Sequence, residues 1–314
     1  MNLINPQKHL GCFSHHPITL SPQYLITLRP LLRKFVNLLL FGNFWIAAAA
    51  VAMTWQTEYL LYGELAWTPL TTFVFSATLF LYAIHRIVGL VKVKPFLEKY
   101  RYAIIYRFRN HIKLYAFLGG VGALVTFFYL SFANQLLLII PAILSLGYVL
   151  PFVKGQKRLR DFDYIKIFLI AIVWGVITVV MPILERGLQF EWPYLLLLLE
   201  RMFFVFAITL PFDIRDLKID AHIDVKTIPA ILGIIQTKRL AATCLLLVAL
   251  LAGSNYWLGT HSLFNLLAIG LSVFSTYLLV NYSDKTDDDY FFTGVMDGTM
   301  IVQFLLVWSE AAFL

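Results

Sequence analysis

Apolar runs follow one another along nearly the whole chain, and each is about as long as the roughly 20 residues that cross a bilayer as a helix. Of the 314 residues, 60% are hydrophobic and 14% are charged. Soluble globular chains usually carry about 25% charged residues, so the composition predicts an integral membrane protein. The nine predicted spans lie at 35–55, 66–91, 112–131, 134–153, 164–184, 193–212, 238–258, 262–282 and 293–313.

The predicted fold class follows from the demands that lipid makes on the backbone. Peptide groups in lipid must be hydrogen-bonded within the protein, so only helices and closed barrels span membranes. The chain lacks the alternating segments of about ten residues that mark a transmembrane barrel. The sequence therefore predicts an all-α, polytopic bundle of nine transmembrane helices that forms a single membrane domain over residues 1–314. Long links often carry function, and the longest lie near 92–111 and 213–237.

The basic residues predict the orientation of this bundle. Of the 25 lysines and arginines, all but Arg186 and Arg201 fall in the N-terminal tail or in and beside the links after even-numbered spans. Cytoplasmic segments are enriched in Lys and Arg. The tail 1–30 and these links are therefore predicted to be cytoplasmic, with the C-terminus on the opposite side of the membrane. This asymmetry accounts for the net charge of +7, and no nucleic-acid partner is predicted.

Carboxylates gather where the sixth predicted span ends, in the stretch DIRDLKIDAHID that begins at residue 213. On a helix, Asp213, Asp216 and Asp220 fall within about 60° of one another. Crowded carboxylates require a compensating cation, and oxygen ligands suit Mg²⁺, which often bridges carboxylates to substrate phosphates. Arg215 and Lys226 are predicted to bind phosphate oxygens directly. A solvated acidic and basic loop is the alternative interpretation.

This stretch resembles the second aspartate-rich motif of the UbiA superfamily of intramembrane prenyltransferases. The resemblance extends from the three aspartates to Val225-Lys226-Thr227-Ile228-Pro229 and Gly233. At the end of the fourth predicted span, Tyr148 and the pair Lys157-Arg158 are similar to the family's tyrosine and Lys-Arg pair. The resemblance implies a UbiA-like bundle of nine helices whose motif lies at the cytoplasmic end of the sixth.

The resemblance also implies an activity, which is the transfer of a prenyl group from a prenyl diphosphate to a membrane-soluble, aromatic or other lipophilic acceptor. Asp213, Asp216 and Asp220 would be catalytic residues that hold Mg²⁺. Lys157 and Arg158 would bind the diphosphate. Tyr148 would face the allylic centre with its ring, or else would be an ordinary aromatic residue of the membrane interface.

The family's first aspartate-rich motif, expected at the end of the second span, is missing. From Leu65 to Leu97 the chain has no Asp, Glu, Asn or Gln. His85 and Arg86 stand in that region instead, and we predict that they bind the diphosphate in place of one metal ion, which leaves one Mg²⁺ rather than two. The alternative is that Arg86 reaches the headgroups while His85 packs between helices.

Three functions are compatible with the altered site. Cations could replace one Mg²⁺ and leave prenyl transfer intact, which is the function predicted here. The protein could instead be a catalytically silent family member that binds a lipid or a partner protein. The site could also carry out another reaction on a phosphorylated lipid.

Other charges fall inside predicted spans or close to them. Ionisable side chains within a membrane usually face a polar interior, so Asp297 is expected to do so. Glu200 and Arg201 point about 100° apart on a helix and are expected to reach polar groups on different neighbours, in a structural role. The acidic run at 284–289 could lend ligands to the site or form a solvated loop.

Overall fold

The computed structural model describes residues 22–92, 100–150, 159, 165–222 and 225–312. Within these ranges every regular element is helical, which confirms the predicted all-α class. The described residues divide into two units, one up to Asn37 and one from Leu38 onward. The α-helices are α1 Pro22–Phe41, α2 Phe44–Tyr62, α3 Pro69–Lys92, α4 Tyr100–Arg107, α5 Arg109–Phe127, α6 Phe132–Leu137, α7 Ile139–Val149, α8 Ile165–Gly175, α9 Met181–Glu185, α10 Trp192–His222, α11 Ile228–Trp257, α12 Leu263–Tyr282 and α13 Asp297–Trp308.

Among the described residues, six helical stretches are long and apolar enough to cross a membrane, and the bent pair Leu31–Phe41 and Phe44–Tyr62 would make a seventh. These counts support a multi-pass membrane protein but do not confirm nine spans. One reason is that the apolar stretch Phe132–Tyr148 is shorter than a full crossing. The six stretches are Pro69–Gly89, Ile165–Glu185, Trp192–His222, Ile228–Trp257, Leu263–Lys285 and Phe291–Ala312.

Two predicted boundaries are wrong. The span at 35–55 is interrupted after Phe41, where Asn43 adopts a left-handed backbone with φ of 70° before α2 begins. The link predicted near 213–237 is helical over most of its length, because α10 runs on to His222 and α11 begins at Ile228. The aspartates therefore lie on a regular helix, which holds them at fixed spacing.

The alanine-rich helix α2 lies at the centre of the bundle. Its residues Ala47, Ala49 and Met53 are fully buried, and the helix packs against α3 and α13. Small side chains allow membrane helices to approach closely. A small residue also allows α5 to approach α3, the helix that carries His85 and Arg86. A Cβ at Gly119 of α5 would lie only 2.8 Å from the Ser76 carbonyl oxygen of α3.

The adjacent charges Glu200 and Arg201 of α10 are both buried, at 3% and 2% exposure. Arg201 Nη1 donates to the Met53 carbonyl oxygen at 2.7 Å and to Thr178 Oγ1 at 3.2 Å. Glu200 Oε2 lies 3.3 Å from His261 Nε2. The two side chains thus connect α10 to different neighbours, and Arg201 fastens it to α2.

We expect Arg201→Ala to lower the midpoint of thermal unfolding in detergent. The substitution removes hydrogen bonds to a charged group, each worth about 1.5–3 kcal/mol, and leaves a void. Arg239→Ala is the matched control, because Arg239 is exposed on α11. Equal midpoints for the two variants would contradict the structural role of Arg201.

The predicted orientation can be tested by cysteine labelling in a protein whose Cys12 and Cys244 are replaced by serine. Lys218 and Lys285 are exposed and carry part of the basic asymmetry, whereas Glu191 precedes α10 at its other end. An impermeant maleimide should reach Lys218→Cys and Lys285→Cys only from the cytoplasm, and Glu191→Cys only from the opposite side. The reverse pattern would overturn the orientation.

Candidate active site

A cavity of about 870 Å³ opens among α3, α5, α7, α8 and α10. Most of its wall is apolar and includes Phe73, Phe127, Leu138 and Trp174. Its ionisable and aromatic polar residues include seven of the predicted site residues, which are His85, Arg86, Tyr148, Asp213, Arg215, Asp216 and Asp220. Lys166 and Asp297 line it as well. The cavity thus combines a mostly apolar wall with a group of charged side chains.

Two of the three aspartates converge on one lysine. Asp213 and Asp220 are seven residues apart, about two turns of α10, and share a face of the helix. They are buried, with exposures of 2% and 4%. Lys166 of α8 places its Nζ 2.6 Å from Asp213 Oδ1 and 3.5 Å from Asp220 Oδ2. The ammonium therefore occupies the cation position that these carboxylates share.

The third aspartate, Asp216, is held by a different cation. Arg215 donates from Nε to Asp216 Oδ1 at 3.0 Å and from Nη2 to Asp216 Oδ2 at 3.1 Å, so the contact is bidentate. Arg215 Nη1 also lies 3.7 Å from Asp289 Oδ1. The guanidinium packs over the rings of Phe212 and Phe292 at 5.1 and 4.7 Å from their centroids, so its plane is fixed from several sides.

No three His, Cys, Asp or Glu side chains in the described part of the chain are grouped closely enough to hold a metal ion by themselves. The three aspartates are divided between two cations, because Asp216 pairs with Arg215 while Asp213 and Asp220 pair with Lys166. A metal site built from all three aspartates therefore stays a prediction.

Arg86 faces the cavity but also binds the backbone. Its Nη1 donates to the Phe41 carbonyl oxygen at 3.1 Å, and its Nη2 donates to that of Leu40 at 3.2 Å. These carbonyls end α1, where helical C=O groups lack intrahelical partners and carry partial negative charge. Arg86 thus caps a helix at the edge of the cavity rather than extending only toward headgroups.

Of the remaining predicted residues, only some line the cavity. His85 and Tyr148 both line the cavity, with ring centroids 5.8 Å apart. Lys226 is exposed and lies outside the cavity wall, so its predicted contact with the diphosphate gains no support. Lys157 and Arg158 lie outside the described residues.

Sequence reasoning missed Lys166, which was counted only among the basic residues of a link. The signal was present, because Lys166 follows the first residue of the apolar run IKIFLIAIVWG. A lysine inside such a run is costly in lipid and usually has a polar partner. Asp297, which is expected to face a polar interior, lines the cavity together with Arg215 and Arg86.

Residues 108–305 match the UbiA prenyltransferase family. The chain belongs to that family. This match confirms the resemblance seen in the aspartate motif and covers more than half of the chain, including α5 to α12. No curated protein matches the chain.

Several solved structures share the fold. A digeranylgeranylglyceryl phosphate synthase aligns with a TM-score of 0.58 and 14% identity over 89% of this chain and 98% of its own. A UbiA homologue from Archaeoglobus fulgidus, solved with geranyl diphosphate and Mg²⁺, aligns with a TM-score of 0.60 and 10% identity over 87% and 99%. An apo UbiA homologue from Aeropyrum pernix K1 gives 0.61 and 12% over 86% and 99%. Identities this low show similarity of fold alone.

Proposed function

We propose that this UbiA family member transfers a prenyl group from a prenyl diphosphate to a membrane-soluble acceptor, aromatic or otherwise lipophilic. The observation that carries the proposal is the composition of the 870 Å³ cavity, whose apolar wall meets Arg86, Lys166 and Arg215 among the aspartates. Such a cavity suits a substrate with a hydrocarbon chain and an anionic head. Solved homologues hold geranyl or dimethylallyl diphosphate, which supports this substrate class.

In prenyl transfer, negative charge develops on the leaving diphosphate, and the cationic side chains of this cavity could stabilise that charge. As the bond between the allylic carbon and the diphosphate oxygen breaks, the electron pair leaves with the diphosphate. Arg86, Lys166 and Arg215 would stabilise that charge in a site with little water. The acceptor attacks the allylic carbon and loses a proton, while the apolar wall keeps water from the cationic centre. Tyr148, which lines the cavity beside His85, would offer its ring to the allylic carbon.

Mg²⁺ is supported by two solved complexes of a UbiA homologue from Archaeoglobus fulgidus that contain Mg²⁺ and by the donors present here. Asp213 and Asp220 direct oxygens toward one position, and Mg²⁺ is commonly bound by one or two carboxylates plus substrate phosphates. Because the ammonium of Lys166 takes that position, a metal ion would have to displace it. The expected single Mg²⁺, rather than two, therefore stays a prediction that these contacts do not favour, because a cation of the chain already lies between the two carboxylates.

A catalytically silent protein that binds a lipid or a partner is the second candidate. It is favoured by the internal contacts of the cations, since Arg86 binds the carbonyls of Leu40 and Phe41 and Lys166 binds two carboxylates. Under this function the charges stabilise the bundle and need no phosphate.

The two candidates differ in a direct assay. Purified protein in lipid nanodiscs is incubated with radiolabelled prenyl diphosphates and a panel of lipophilic acceptors, with Mg²⁺ and separately with EDTA. Prenyl transfer requires a labelled lipophilic product and release of diphosphate. Absence of product together with absence of prenyl diphosphate binding in both media would favour the silent protein.

The cavity also predicts an effect of prenyl chain length. Ala77 lines the apolar wall and lies nine residues, about 13 Å along α3, from Arg86. We expect Ala77→Trp to weaken binding of geranylgeranyl diphosphate about fivefold or more, since overpacking commonly costs about 1–3 kcal/mol, and to spare dimethylallyl diphosphate.

Leu267→Trp is the control for this series, because Leu267 is exposed on α12 and outside the cavity wall. It should leave the binding of both diphosphates unchanged. If Ala77→Trp affects the short and the long diphosphate equally, the chain does not lie along this wall.

A further inference from the structure

The ion pair between Lys166 and Asp213 has the geometry of a bound cation. The distance of 2.6 Å from Nζ to Oδ1 is that of a charge-assisted hydrogen bond. The side chain of Lys166 is 12% exposed, and those of Asp213 and Asp220 are 3% and 6% exposed. The cluster is therefore largely withdrawn from water, where such pairs are screened least.

The packing of two helices explains why a cation is needed there. Helix α8 packs along α10, and the two-turn spacing of Asp213 and Asp220 presents two buried carboxylates to α8. Like charges in such a place repel unless a cation lies between them. Lys166 supplies that charge from within the chain, so the acidic pair is compensated before any metal ion or substrate arrives.

A divalent ion would compete for the same position. An ion that used oxygens of both Asp213 and Asp220 would lie where the Lys166 ammonium now lies, and two cations cannot share that place. The rest of the cavity shows the same balance. Outside the Lys166 cluster, the guanidinium groups of Arg86 and Arg215 line the wall with two further carboxylates, Asp216 and Asp297, and the stretch from Leu65 to Leu97 adds no carboxylate.

We propose that Lys166 is a tethered counter-cation that takes the place of a divalent metal ion between Asp213 and Asp220. As a consequence, this protein binds prenyl diphosphate without requiring Mg²⁺. The first statement concerns the metal alone. The second rests on the proposed function, because it presumes that the cavity receives a diphosphate.

Metal binding tests the first statement without any substrate. Mn²⁺ replaces Mg²⁺ as the probe, and its binding to the purified protein is measured by electron paramagnetic resonance. Lys166→Met should bind Mn²⁺ about tenfold or more tightly than the unmodified protein, since a contact between charged groups of the kind removed is worth 1.5–3 kcal/mol. Equal Mn²⁺ affinity in the two proteins would overturn the proposal.

The matched control is Lys238→Met. Lys238 makes an ion pair of the same kind, with Nζ 2.8 Å from Asp284 Oδ1 and a side-chain exposure of 16%, but neither residue lines the cavity. This variant should leave Mn²⁺ binding as it is in the unmodified protein. A gain as large as that of Lys166→Met would mean that any freed carboxylate attracts the ion, and the specific role of Lys166 would be lost.

Diphosphate binding tests the second statement. In EDTA, calorimetry with geranyl diphosphate should show binding by the unmodified protein, and Lys166→Met should weaken it about tenfold or more. Adding Mg²⁺ should restore binding to Lys166→Met and change that of the unmodified protein little. Binding by the unmodified protein that depends on Mg²⁺ would refute metal independence.

The experiment remains decisive if Lys166→Met folds poorly, which is a concern because it leaves buried carboxylates without their partner. The double variant Lys166→Met/Asp213→Asn removes both charges of the shorter contact. It should fold, and it should still lose geranyl diphosphate binding in EDTA. Lys166→Arg keeps the charge and should retain that binding. Loss in Lys166→Arg equal to that in the double variant would indicate a packing role only.

The Mn²⁺ measurement and the diphosphate measurement together distinguish failure of this inference from failure of the proposed function. If no protein binds dimethylallyl, geranyl or geranylgeranyl diphosphate in either medium, prenyl transfer from these donors is refuted, and the Mn²⁺ measurement alone decides whether Lys166 occupies the metal position. If geranyl diphosphate binds but the variants and the control bind Mn²⁺ alike, the proposed function stands and the role of Lys166 fails.

Discussion

Buried carboxylates at the edge of a membrane must be compensated, and in this protein Lys166 does so for Asp213 and Asp220. The organisation of the cavity depends on that interaction. Removing one member of a buried ion pair is strongly destabilising because it leaves an unpaired charge. The pair thereby ties α8 to α10 at the charged part of the cavity, so the position of the aspartates relative to the apolar wall is set by an ionic contact as well as by packing.

A second polar contact supports α10 at a different level of the bundle. Arg201 donates to the Met53 carbonyl oxygen and so connects α10 with the buried, alanine-rich α2. In lipid there is no hydrophobic drive between helices, so close packing and interhelical hydrogen bonds decide how they associate. With Arg201 at one level and Asp213 at another, α10 is held along its length. A helix held in this way presents charged side chains at reproducible positions, which a site for an anionic head requires.

The sequence predicted the helical class, the membrane setting and the aspartate motif, because each is encoded locally in apolar length or residue spacing. It did not predict the break at Asn43, although Gly42 and Asn43 are residue types that favour turns and left-handed backbone, because the apolar residues on both sides also fit one continuous span. It also missed the partner of Asp213. Lys166 lies 47 residues away in the chain, and only the packing of α8 on α10 brings the two together. The contact of Arg86 with the Leu40 carbonyl is equally non-local.

Two features of the cavity place positive charge on the chain itself. The region that should carry the first aspartate motif has no acidic residue and contains Arg86, and the remaining aspartates already hold a lysine. If Lys166 takes the place of a metal ion, as proposed, positive charge that an exchangeable ion would bring is attached to the chain instead. A single ammonium stabilises a leaving diphosphate less than a divalent ion at the same distance would, because Coulomb energy scales with charge. Arg86 and Arg215, which line the same cavity, would have to supply the difference, and their planar guanidinium groups suit phosphate oxygens.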